Sequence, residues 1–223
     1  MEPNRDDAIA LFFDAIREGD ENTVRAMLTA EPGLADARHK TGATPVLWAV
    51  YRHHSELAAI LLADREADFF EACALGNASR VRTLLDMHPE FHRQDSADGF
   101  SPLGLAAYFG HLQTAGVLVG AGADVNHASP TFQVTPLHSA VASRSAEIVE
   151  LLLSCGASPN SSEPGGSPLH SAACTGDQKI VKMLLAAGAD PRQSNKAGKT
   201  PPELAREYGH AELARQLESL PPQ

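Results

Sequence analysis

The sequence predicts an all-α fold, a solenoid of stacked helix–turn–helix units, and three observations carry that prediction. A short Ser/Thr-Pro phrase recurs at Thr44-Pro45, Ser101-Pro102, Thr135-Pro136, Ser167-Pro168 and Thr200-Pro201. The last four copies stand 34, 32 and 33 residues apart. Behind each copy lie two apolar-periodic stretches, commonly closed by glycine. Recurrence at a fixed period of this size marks a repeat architecture, in which each unit buries its apolar side only by stacking on the next.

The phrase has a local mechanism. Ser or Thr offers a side-chain oxygen to the orphan amides of a helix start, and Pro suits the first helical position because its missing N–H would have no partner there. The fullest copies are Thr135-Pro136-Leu137-His138-Ser139-Ala140 and Ser167-Pro168-Leu169-His170-Ser171-Ala172. From each start a first helix of roughly nine residues runs to a glycine such as Gly110, Gly176 or Gly209, which ends it at little steric cost. A second helix follows, with Ile148, Val149, Leu151, Leu152 and Leu153, or Ile180, Val181, Met183, Leu184 and Leu185, at helical spacing. It closes at Gly122, Gly156 or Gly188, and a turn signal such as Asp98-Gly99, Gly165-Gly166 or Gly198 leads to the next start. Two segments lack the phrase but share its helix, Ala10–Asp20 and Ala67–Asn77; each has Phe-Phe, an acid, Ala and then Gly19 or Gly76. Starts near 10, 44, 67, 101, 135, 167 and 200 give seven units, at about 6–41, 42–65, 66–98, 99–131, 132–164, 165–197 and 198–220. The first and last have polar outer helices, as terminal caps need to stay soluble.

Two short helices and a turn at this period, opening on Thr135-Pro136-Leu137-His138 and ending on Gly122-Ala123-Asp124 or Gly188-Ala189-Asp190, resemble the ankyrin repeat. The resemblance spans nearly the whole chain. It implies that hairpin tips and the exposed side of each first helix line one concave face. It also implies that His138 and His170 hydrogen-bond neighbouring tips, and that the protein acts by binding another protein.

The departures from the pattern are informative. Residues 60–70 have neither a Gly-Ala-Asp ending nor a hairpin, so the second unit is short. A tight helical corner of two to four residues and a break in the row of tips are expected between the second and third units; one continuous helix from Ser55 to Leu75 is the alternative. Residues 126–135 carry one extra residue, with Phe132 in the tip, and residues 160–167 carry one fewer. His53 and Arg144 stand where the turn glycine is usual, at a cost of about 1 kcal/mol each in a left-handed conformation.

Composition narrows the partner. A formal charge of −10, with 18 basic residues and no basic run longer than two, argues against nucleic acid or an anionic membrane, both of which need clustered Lys and Arg. It favours a partner with a basic surface. The acidic start, Met1-Glu2-Pro3-Asn4-Arg5-Asp6-Asp7, does not read as a signal peptide. No apolar run approaches the roughly 18 residues of a membrane span. Three cysteines without short spacings, Cys73, Cys155 and Cys174, read as reduced, mostly buried thiols of a cytoplasmic protein. A monomer is expected.

Catalytic and metal patterns fail on inspection. Gly198-Lys199-Thr200 ends like a phosphate-binding loop, but Gln193 stands where that loop needs glycine. His88 and His92 are four apart, yet Pro89 between them works against a helical metal face. No nucleophile elbow or Cys/His arrangement with an orienting group is visible. We expect no catalysis, no cofactor and no metal. What remains is surface. Positions near the ends of the first helices are usually polar in stable repeats, but here they hold Tyr51 and Arg52, then Tyr108 and Phe109, with Trp48, Phe100 and Leu105 adjoining. With Phe132 these form the candidate protein-binding surface, since Trp, Tyr and Arg dominate interface energetics. The competing readings are that the rings fill the gap left by the missing hairpin or pack between repeats, that the protein is a self-associating structural protein, or that it is a regulatory or inhibitory subunit of an enzyme complex. Phe12, Phe13, Phe69 and Phe70 are expected in the core.

Overall fold

The structure is a computed structural model that describes residues 5–161 and 165–220. Among these residues it contains α-helices and short 3-10 turns and no extended strand. The helices come in pairs: α1 (Arg5–Glu18) with α2 (Glu21–Ala30), α3 (Pro45–Tyr51) with α4 (Ser55–Leu61), and α5 (Phe69–Ala74) with α6 (Ala78–Met87). There follow α7 (Pro102–Tyr108) with α8 (Leu112–Gly120), α9 (Pro136–Ala142) with α10 (Ala146–Ser154), α11 (Pro168–Thr175) with α12 (Gln178–Ala186), and α13 (Pro201–Glu207) with α14 (Ala211–Glu218). The odd-numbered helices pack side by side in one layer, and the even-numbered ones back it.

The helix starts form for the reason the sequence suggests. Thr44 Oγ1 accepts the Leu47 amide at 3.0 Å, and Ser101 Oγ accepts that of Gly104 at 3.0 Å. Proline follows each at the first helical position. In α11 the roles broaden: His170 Nδ1 takes both the Ser167 amide (3.0 Å) and the Ser167 hydroxyl (2.9 Å). One start differs from the expectation. α1 begins at Arg5, so its 14 residues extend five positions ahead of the aligned copy at Ala10.

The join between the second and third pairs also differs. α4 stops at Leu61 and α5 starts at Phe69, which rules out a continuous helix from Ser55 to Leu75 and leaves seven residues instead of two to four. The extra length accommodates an ion pair. Arg65 reaches into the join and holds the fully buried Glu71 carboxylate through two hydrogen bonds of 2.7 Å. The same carboxylate accepts the Asp68 amide (2.9 Å), while Asp68 caps the Glu71 amide (2.8 Å). A reciprocal capping box therefore starts α5 in place of Thr-Pro. Burial alone would push the Glu71 carboxyl up; the Arg65 and Asp68 hydrogen bonds outweigh it and hold the group below its ordinary range.

The row of tips is not broken at this join but closes over it. The tip closed by His39 N–H to Ala43 C=O (2.9 Å) meets the tip closed by Ser96 N–H to Phe100 C=O (2.9 Å), although two helix pairs, α3–α4 and α5–α6, lie between them in sequence. At the contact Gly42 has φ +96°, and a Cβ there would lie 2.4 Å from the Ala97 carbonyl oxygen, so only glycine fits. Behind the tips the apolar interior divides. One cluster runs from Phe12 to Leu61, the other mainly from Ala67 to Leu217, and Trp48, Val50, Leu62 and Leu75 touch both.

Phe12, Phe13 and Phe69 are buried as expected, and Phe70 packs on the core half-buried. The thiols are less uniform: Cys73 is buried, Cys174 half-buried and Cys155 exposed, because Cys155 is the solvent-side C-cap of α10. His53 and Arg144 do adopt left-handed backbone, at φ +60° and +56°. The tip expected at 160–167 and the signals at 1–7 and beyond 220 lie partly outside the described residues.

Candidate protein-interaction surface

Counting from each helix start puts the positions four and seven residues on along one stripe of the first-helix layer. These positions hold Leu105 and Tyr108 on α7, Ser139 and Ala142 on α9, and Ser171 on α11. The stripe faces a groove of about 390 Å3 whose other wall comes from Phe100, Phe132 and Val134 of the tips. Tyr51 closes one end and His138 lines the floor.

Tyr51 reaches the groove because its neighbour on α5 is small. Ala74 occupies the equivalent place between Tyr51 and Tyr108 and is buried. The tyrosine leans over it to stack on Phe109 (centroids 6.0 Å apart, planes at 12°) and to touch Phe100 at 5.8 Å. Its hydroxyl donates to Asp98 Oδ2 at 2.7 Å, and Asp98 Oδ1 accepts from Ser96 Oγ at 2.6 Å. Burial, with the Asp98 charge and hydrogen bond, raises the Tyr51 phenol far above its ordinary value, so it stays neutral. Phe132 stacks on Phe100 at 4.8 Å, and Tyr108 meets Phe109 edge-on at 5.1 Å. Tyr108 and Phe132 remain 52% and 46% exposed, while Leu105, read from sequence as surface, is only 2% exposed and forms the base. A leucine in a layer of close-packed short helices has no route to solvent except past larger neighbours.

The sequence-predicted group therefore splits. Tyr51, Phe100, Leu105, Tyr108, Phe109 and Phe132 gather at the groove. Trp48 and Arg52 belong elsewhere: His39 stacks on Trp48 at 4.0 Å, Phe13 meets it edge-on, and Arg52 lies over the ring at 5.0 Å. This second group borders a separate concavity whose walls include Asp6, Asp14, Arg17, Arg38 and Lys40. Sequence reasoning missed Val134, Ser139 and Ser171 as wall residues, although the spacing from the starts at 135 and 167 locates the two serines. It also missed Asp98 and His39, whose partners are 47 and nine positions away.

The histidines of the repeated phrase bridge the tips. His138 Nε2 donates to the Gly166 carbonyl (3.1 Å) and His170 Nε2 to that of Lys199 (3.1 Å), so their Nδ1 atoms accept from Thr135 and Ser167. Burial pushes His138 down to about 4. A second histidine device repeats as well: His54, His111 and His210 reach back to the Arg17, Ala74 and Cys174 carbonyls. Among the described residues no cluster of three metal-ligating side chains occurs, and no helix is long and apolar enough to cross a membrane.

Comparison with known proteins agrees with this architecture. Ankyrin-repeat family models match residues 69–163 as three copies and residues 165–196 as one more. The match opens on Phe69, the first residue of α5. Among curated proteins, the chain is 28% identical to a "Probable E3 ubiquitin-protein ligase" of Oryza sativa subsp. japonica, over 66% of this chain and 38% of that protein. It is 36% identical to "Ankyrin repeat and SAM domain-containing protein 6" of Mus musculus, over 42% of this chain and 10% of that protein. It is 27% identical to a "Probable 26S proteasome regulatory subunit" of Saccharomyces cerevisiae, over 66% of this chain and 70% of that protein. The chain thus spans well under two thirds of the first two relatives. With family models covering more than half of its length and a helical solenoid to match, the chain belongs to the ankyrin repeat family, whose repeats are protein–protein interaction modules.

Proposed function

We propose that this protein is a non-catalytic binding module that docks a partner protein on its concave face, at the groove between the tips and the first helices. One observation carries the reading: Tyr108 and Phe132 stay about half exposed beside a continuous apolar wall, on a chain of net charge −10. Large exposed rings next to a preformed concavity are characteristic of interface anchors. Tyr51, Phe100, Leu105 and Phe109 hold that wall in shape, while Trp48 and Arg52 form an accessory patch at its N-terminal end. The seven-unit division given above, a monomeric state, a cytoplasmic location and a protein partner in place of nucleic acid or membrane complete the proposal. The expectation of a basic partner surface belongs to the rim, since the groove itself is uncharged.

A second reading, a regulatory subunit of a larger enzyme assembly, is favoured by the similarity to the yeast proteasome regulatory subunit along most of that protein's length. Affinity capture from the native host followed by quantitative binding tests both readings. Tyr108→Ala and Phe132→Ala should each weaken a captured partner about tenfold or more, whereas Tyr208→Ala, an exposed ring off the groove, should not. Unchanged affinity in both groove variants would sink the site assignment.

A further inference from the structure

We propose that the groove selects a partner segment by large, uncharged apolar side chains and turns away acidic and basic segments. This deepens the concave-face reading and rests on it. The walls are Tyr51, Phe100, Leu105, Tyr108, Phe132, Val134, His138, Ser139, Ala142 and Ser171, none of which carries a formal charge near neutral pH. The two titratable groups with altered values, Tyr51 and His138, are both held neutral by burial.

Charges nearby are already committed. Both oxygens of Asp98 accept hydroxyl hydrogen bonds, from Tyr51 and Ser96. Arg52 faces away over the Trp48 ring. On α13, Glu207 pairs with Lys199, and Arg206 with Glu218. A charged side chain entering the groove would lose water and meet no opposite charge, a costly transfer. An aromatic or branched aliphatic side chain would instead displace water from Phe100, Leu105, Tyr108 and Phe132, which is favourable. Tyr108 Oη and the Ser139 and Ser171 hydroxyls can serve the backbone of the entering segment. The neighbouring concavity at Trp48 provides an internal contrast, because Asp14, Arg17, Arg38 and Lys40 line it.

The test uses the full chain and three probes that share one ring system: indole, tryptamine and indole-3-acetate. In amide NMR titrations, indole should give saturable shifts at Leu105, Tyr108, Ser139 and Ala142, and both charged analogues should bind about tenfold more weakly. Ala142→Trp, at an exposed position, should fill the groove and abolish the shifts while leaving the rest of the spectrum in place. Equal or tighter binding of a charged analogue, shifts centred on Trp48 and Asp14, or no saturable shift for any probe would overturn the inference. Ala142→Glu, measured with a captured native partner, separates this from the broader reading. If it blocks the partner while indole fails to bind, the apolar-selection inference alone falls. If the partner is indifferent to it, the concave-face reading falls.

Discussion

Residues 5–68 and residues 69–220 build similar helix pairs but fasten them differently. From α7 onward the fasteners repeat: Ser or Thr before Pro starts each first helix, and His138 and His170 tie neighbouring tips. Asn126 donates to the Gly156 carbonyl and accepts the Ser158 amide, and Asn160 repeats this with Gly188 and Asp190. At the junction of the two regions that ladder has no hairpin to use. A buried ion pair, a tyrosine–carboxylate bond and a glycine contact replace it. Losing one tip thus exchanges several modest, interchangeable bonds for a few that each matter more. It also bears on the groove, because at this junction Tyr51 crosses the small Ala74 of α5 to reach Phe100 and Phe109.

Four measurements can break or sharpen this contrast. Arg65→Ala should have the largest effect, about 3–5 kcal/mol in urea unfolding, because it strands the buried Glu71 carboxylate. Hydrogen exchange should locate the loss at residues 39–75 in preference to the C-terminal pairs. If the loss is uniform, or under about 1 kcal/mol, the ion pair is not the fastener of the join.

Acid should act on the other side of the comparison. His138, depressed from 6.5 to about 4, stabilises the neutral folded state above its unfolded value. That contribution, about 3 kcal/mol, is lost as pH falls from about 6.5 to about 4. His170 and His39, both depressed first by burial, act with the same sign. Glu71 is also depressed, so its contribution is lost only lower, as pH drops below the ordinary carboxylate range. Asp68, raised by burial and by Glu71, works in the opposite sense. Denaturation followed against pH should show a shallower slope between 4 and 6.5 in His138→Gln; an unchanged slope would contradict this account.

Tyr51→Phe keeps the ring stack but removes the hydroxyl bond to Asp98, at an expected cost of about 2 kcal/mol by chemical denaturation. Binding at the groove should change less in this variant than in Tyr108→Ala. The smallest effects concern the turns. His53→Gly should stabilise by about 1 kcal/mol by relieving a left-handed backbone. Arg144→Gly should gain less, because Arg144 bonds the Thr175 carbonyl and sits near Asp177. Equal gains in thermal melts would show that these Arg144 contacts contribute nothing.

Much of this architecture is written locally. A Thr-Pro start, a left-handed turn and a second apolar helix each depend on a few adjacent residues, so period and polarity suffice to read α7 through α14 and the strained turns at His53 and Arg144, while the tip-bridging role of His138 and His170 came from the resemblance to ankyrin repeats. The groove was legible only as a list of unusually large residues near helix ends. Whether Tyr51 and Tyr108 belonged together, and whether Trp48 joined them, depended on Ala74 being small and on Gly42 meeting Ala97 across two helix pairs. The length of the 62–68 join was set by Arg65 reaching Glu71, a pairing with no periodic signature. The sequence alone determined the fold class, the repeat and the candidate residues, because those follow from contacts within or between adjacent units. Only the tertiary structure decided how the tips close over the missing hairpin, and therefore which aromatics share a groove, because that outcome depends on shape and charge matching between residues as distant in sequence as Tyr51 and Asp98 or Gly42 and Ala97.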